Sequence, residues 1–117
     1  MAASSTAERF AALVARAEAD PTAAIAERMA GDVLAVEVGG DLELRWHIAV
    51  VRGVMAAPPD GDAVREAYGE LVDRYRDDPP RLAALRPLGD EIRKLEADGT
   101  LPSVLVARSN RRRPTRP

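Results

Sequence analysis

The sequence predicts a single α+β domain over residues 1–108, followed by a flexible arginine-rich tail over 109–117. Three observations carry that prediction. Helix-capping signals precede apolar residues at helical spacing on both sides of the chain's middle. Apolar residues alternate on either side of Gly39-Gly40-Asp41. The charge balance then changes sign at the C-terminal end. The alternative is an all-α fold in which residues 42–55 are helical.

Each element follows from local chemistry. Ser5 with Glu8 three residues later forms a capping box, and Phe10, Leu13, Val14 and Ala17 recur at helical spacing, so a first helix runs from about Thr6 to Ala19. Asp20-Pro21 supplies an N-cap and a first-turn proline. The second helix covers about Pro21 to Ala30, with Ile25 and Met29 on its buried side and Gly31 as its stop. A β-hairpin of strands 33–38 and 42–51 turns at Gly39-Gly40-Asp41, where glycine accepts a positive φ. Pairing Val38 with Leu42 sets Val36 against Leu44 and Leu34 against Trp46, and Ile48 and Val50 continue that face. The other face carries Ala35, Glu37, Glu43, Arg45 and His47.

Pro58-Pro59-Asp60-Gly61 ends the second strand, and Asp62 opens a helix with Val64, Tyr68, Leu71, Val72 and Tyr75 as its inward stripe. After Asp77-Asp78-Pro79-Pro80 comes a brief helical turn at Leu82 to Leu85, interrupted at Pro87. A further helix reaches about Asp98, with Leu88, Ile92 and Leu95 inward and Gly99 as its stop. Val104-Leu105-Val106 reads as a short third strand, or alternatively as a short helix capped by Ser103. No internal repeat is read. So small a sheet leaves open edges, which predicts a homodimer or a place in a larger complex.

Composition removes several function classes. The chain has 117 residues and no cysteine, which excludes disulfides, thiolate nucleophiles and Cys-ligated metal sites. Met1 to Ala7 has neither the basic nor the apolar region of a leader, and no run approaches the roughly 18 apolar residues of a membrane helix. The expectation is a soluble cytoplasmic protein with no membrane partner. His47 is the only histidine, so a Ser–His–Asp or multi-histidine arrangement has at most one candidate member. With Arg45 and Glu43 it marks a ligand or partner face on the outer side of the hairpin. Trp46, Tyr68 and Tyr75 read as core anchors.

The acidic clusters do not reproduce a calcium loop. Asp62 and Asp90/Glu91 stand near helix N-termini, where the dipole explains them, whereas Asp77/Asp78 lack that explanation. Gly39-Gly40 joins two predicted strands and opens no helix, so it is no phosphate cradle. The sequence therefore offers no catalytic set, no metal site and no cofactor site.

The tail carries the positive signal. Arg108, Arg111, Arg112, Arg113 and Arg116 are five of the seventeen basic residues, and none of the nineteen acids accompanies them. Such a segment suits a salt-sensitive contact with nucleic acid or another polyanion, although no aromatic residue interleaves with the arginines for base stacking. Leu88 to Leu101, with Leu95 and Gly99 closing the helix and Val104 to Val106 and a basic run following, resembles the end of a winged-helix domain. That resemblance implies nucleic-acid binding. Asp90, Glu91, Glu96 and Asp98 depart from it by making the would-be recognition helix acidic, and no return strand completes a wing. The functional expectation is a non-enzymatic binding or regulatory protein whose tail contacts nucleic acid or another polyanion. Its alternatives are an accessory subunit acting by protein–protein contact, and a small ligand binder or enzyme using His47.

Overall fold

The N-terminal helix forms as its cap predicts. In the computed structural model, which describes residues 5–56 and 61–99, helix α1 spans Thr6–Ala19, and the Ser5 hydroxyl accepts the Glu8 backbone N–H at 3.0 Å. Phe10, Leu13, Val14 and Ala17 are its buried residues. Asp20 then caps α2 (Pro21–Ala26), accepting the Thr22 backbone N–H at 3.2 Å. At Glu27 the backbone leaves helical geometry (φ −110°, ψ 24°) before α3 (Arg28–Val38) and α4 (Gly40–Ala56) follow. These four helices belong to one compact unit, Met1–Ala57; the second unit is Pro58–Pro117.

The β-hairpin expectation is overturned, and with it the α+β class. Residues 33–38 lie in α3 and 42–51 in α4; every regular element among the described residues is helical, as in the all-α alternative. The physical reason lies in α4. Leu42, Trp46, Ala49, Val50 and Gly53 follow i, i+4, i+7, i+8 and i+11, all at least partly buried. The alternation of branched residues ignored Ala49 and Gly53, whose small side chains are what let neighbours approach. Gly39 and Gly40 do adopt positive φ (65° and 66°), so the turn chemistry was read correctly. It joins two helices, and the Gly39 N–H donates to the Ala35 carbonyl at 2.8 Å.

Gly31 is no helix stop either. It sits inside α3 beneath the Trp46 ring, where a Cβ would lie 1.9 Å from Trp46 Cζ2. Trp46 is wholly buried, meets Phe10 at a ring-centroid distance of 6.1 Å with a 58° tilt, and donates Nε1–H to Asp32 Oδ1 at 2.9 Å. Phe10, Leu13, Val14, Ala17, Ala24 and Ala35 complete that core with Ala49 and Val50. On α2 the buried residue is Ala24, while Ile25 and Met29, expected inside, are exposed.

In the second unit, α5 (Gly61–Arg74) carries Val64 and Leu71 inward, followed by buried Tyr75; Tyr68 and Val72 are half-buried. Asp78 caps α6 (Pro79–Ala84), accepting the Arg81 backbone N–H at 3.3 Å and its guanidinium at 2.7 Å. That supplies the structural explanation Asp78 lacked in the sequence. Helix α7 (Arg86–Ala97) starts with Pro87 in its first turn and buries Leu88, Gly89 and Ile92. Arg65 of α5 donates to Glu96 of α7.

The two units share a plan that the sequence does not announce. Each runs from a 14-residue helix through an Asp-Pro capped 6-residue helix to a third helix of 11 or 12 residues. Each third helix has a buried glycine at its fourth position, Gly31 or Gly89, directly under an aromatic side chain.

Candidate functional site

Helix α3 is apolar on two sides. One side holds Gly31 and Ala35, with Leu34 and Val38 packed against the core. The other presents Met29, Val33 and Val36 at i, i+4 and i+7, which are 87%, 59% and 74% exposed; Ile25, at the end of α2, adds 39%. Isolated exposed apolar residues are ordinary, but Met29, Val33 and Val36 succeed one another at helical spacing along one ridge of α3, with Ile25 on the far side of the break at Glu27, packed over Gly53 of α4. They are the chain's exposed large apolar residues among those described.

Helix α7 is the third helix of the second unit. Its outward residues include Arg86, Asp90, Arg93 and Lys94, all exposed, and Arg93 pairs with Asp90. The positions that match Met29, Val33 and Val36 in α7 are Pro87, Glu91 and Lys94, so two of the three carry charge there. The apolar ridge on α3 has no role in the core described above.

The rim of the ridge is acidic. Asp32 is engaged by Trp46 and by Arg28, 3.9 Å away. Glu27 accepts Arg16 at 2.8 Å. Glu37 stands in the last turn of α3, where no basic residue balances the helix's partial negative end. With Ser5, Thr6, Ala7 and Val38, Glu37 lines an open groove of about 480 Å³.

The residues singled out in the sequence do not form one site. The sheet face on which Glu43, Arg45 and His47 were expected to meet is absent. Glu43 and His47, both half-buried, lie one turn apart on α4, and Arg45 departs on a different bearing. Its guanidinium grips Glu18 of α1 through both Oε atoms at 2.9 and 2.6 Å. That hydrogen bond holds the Glu18 carboxyl below the usual glutamate range and raises Arg45 in turn. This arrangement fastens α1 to α4. Arg108, Arg111, Arg112, Arg113 and Arg116, and the 103–107 strand or helix, lie outside the described residues.

Ile25 and Met29 were assigned to the core by sequence and the ridge as a whole was missed. The signal that could have found it is the run from Met29 to Val38, apolar around most of a helix and thus in need of cover on both sides.

Among the described residues, no three His, Asp or Glu side chains gather as metal ligands, and no helix is long and apolar enough to cross a membrane. Scans for a matching protein family, a similar curated protein and a similar solved structure each find none.

Proposed function

We propose that this is a non-enzymatic binding protein, an accessory subunit that acts by protein–protein contact through the outer face of α3. One observation carries the reading: Ile25, Met29, Val33 and Val36 are apolar and exposed, while the outer face of α7, in the same plan, is charged. Burial of such side chains stabilises a contact by roughly 1.5–3 kcal/mol for each one taken fully from water. A ridge of this kind suits helix-in-groove recognition, in which residues at i, i+4 and i+7 anchor the helix.

A photo-crosslinking residue placed at Val36 tests the reading in native extract. The expected result is one discrete adduct, absent when the same residue replaces Arg93 on α7. Equal or diffuse labelling at both positions would count against it. The arginine tail supports a second reading, contact with a polyanion in the cytoplasm, because its five arginines are accompanied by no acid. Deleting residues 109–117 is expected to abolish retention on heparin at low salt, and unchanged retention would retire that reading.

A further inference from the structure

We infer that the α3 face takes the C-terminal segment of a second copy of this chain, so that copies associate head to tail. This rests on α3 being a partner-binding face and names its occupant. The ridge is not uniform along its length: it runs through Met29 and Val33 to Val36, and then meets negative charge. Between Met29 and Leu44 there are four acids, Asp32, Glu37, Asp41 and Glu43, and no base.

These acids are not equivalent. Asp32 is held by Trp46 and Arg28, and Asp41 and Glu43 stand in the first turn of α4, where the helix dipole favours them. Glu37 instead reinforces the negative end of α3, in a turn without a basic residue, and it lines the open groove with Ser5 and Thr6. A cation brought there would relieve an unfavourable local charge. The chemistry that fits the whole face is therefore an apolar run followed by arginine or lysine.

Residues 101–116 have that chemistry in that order. Leu101, Val104, Leu105 and Val106 precede Arg108, Arg111, Arg112, Arg113 and Arg116. The reach also suffices. The seven helical steps from Met29 to Val36 within α3 extend roughly 10 Å at 1.5 Å per residue. The six residues from Leu101 to Val106 reach at most about 20 Å. The first arginines after them can then arrive at the Glu37 end. The contact is heterologous, ridge of one copy to tail of another, and it unites an acidic face with a basic segment.

The test is sedimentation of the full chain at low salt, with two variants. Val33→Asp with Val36→Asp alters only exposed positions, and circular dichroism verifies the fold. Arg111→Ser with Arg112→Ser and Arg113→Ser alters the tail. Concentration-dependent association of the unaltered chain is expected, weakened at least about tenfold in each variant and weakened again by high salt. Mixing the two variants should restore association, since one retains its tail and the other its ridge. Three results would overturn the inference: a mixture that stays monomeric, a tail variant that associates as strongly as the parent, or a parent monomeric at every concentration. The crosslink at Val36 separates this failure from that of the function. An adduct with a different protein leaves the binding face standing and removes only the second copy.

Discussion

Helices α3 and α7 are each the third helix of their unit in chain order, yet their outer faces differ in chemistry. Both follow a short Asp-Pro capped helix, and both bury a glycine under an aromatic side chain. Met29, Val33 and Val36 are exposed on α3, whereas the positions that match them in α7, counted from the buried glycine, are Pro87, Glu91 and Lys94. Folding requires only the inner faces. The difference therefore teaches that the apolar ridge answers to something other than the stability of its own unit, and contact with another protein is the account it supports.

The comparison breaks most sharply at the two glycines. In Gly31→Ala the new methyl would lie 1.9 Å from a ring carbon of Trp46, which is wholly buried and tied to Asp32. Neither ring nor helix can yield cheaply. A loss of about 2–3 kcal/mol in urea-unfolding free energy is expected, after the gain in helix propensity from glycine to alanine has been subtracted. In Gly89→Ala the methyl would meet the Tyr68 hydroxyl at 2.6 Å, the far end of a half-buried side chain that can swing aside. That variant should lie within about 1 kcal/mol of the parent, helped by propensity. Equal losses would show that the two glycines are not seated differently.

The helix caps are the next contrast. Asp20→Ala and Asp78→Ala each remove an N-cap and should each cost about 1 kcal/mol. Asp20 is bound by the Thr22 N–H and hydroxyl, the latter at 2.6 Å, while Asp78 is bound by the Arg81 N–H and guanidinium. The Asp78 loss should therefore shrink more than the Asp20 loss in high salt, read as urea midpoints at low and high ionic strength.

The same contrast explains what was legible in the sequence. Helix α1 was read to the residue because Ser5 and Glu8 mark its start and its apolar residues lie on one side. The outer face of α7 is charged, so Leu88 and Ile92 stood out and were placed correctly inside. Between Met29 and Val38 the exposed ridge filled the gaps between core positions and erased the helical period, leaving a run of Val and Leu that imitates a strand. Gly31 looked like a helix stop because glycine serves both as a terminator and as a point of close approach. The ridge that forms the candidate site is thus the feature that hid the fold around it.

A smaller effect separates a tertiary ion pair from a local one. Arg45 fastens Glu18 across α1 and α4, and its hydrogen bond keeps the Glu18 carboxyl more acidic than an ordinary glutamate. A carboxyl lowered in the folded state stabilises that state above its unfolded pKa, and the contribution disappears as pH falls through the folded one. Arg45 remains charged throughout. Because both side chains are more than a third exposed, the effect is about 0.5 kcal/mol. Glu18→Gln should accordingly lower the urea midpoint slightly at neutral pH and match the parent once acid has protonated Glu18. A difference that persists unchanged in acid would assign the loss to packing.

The finest test converts one face into the other. Val33→Glu with Val36→Lys gives α3 an outer surface like that of α7, with opposite charges three residues apart on one side of the helix. Both valines are mostly exposed, so the change should leave unfolding free energy within about 0.5 kcal/mol of the parent. Contact through the ridge should nevertheless be lost, read as disappearance of the crosslinked adduct when the photoreactive residue is moved to exposed Met29. Stability unchanged and contact abolished is the pair of results that a binding surface demands. A clear loss of stability would show instead that the ridge is part of the core of its own unit, and the contrast with α7 would then be one of packing.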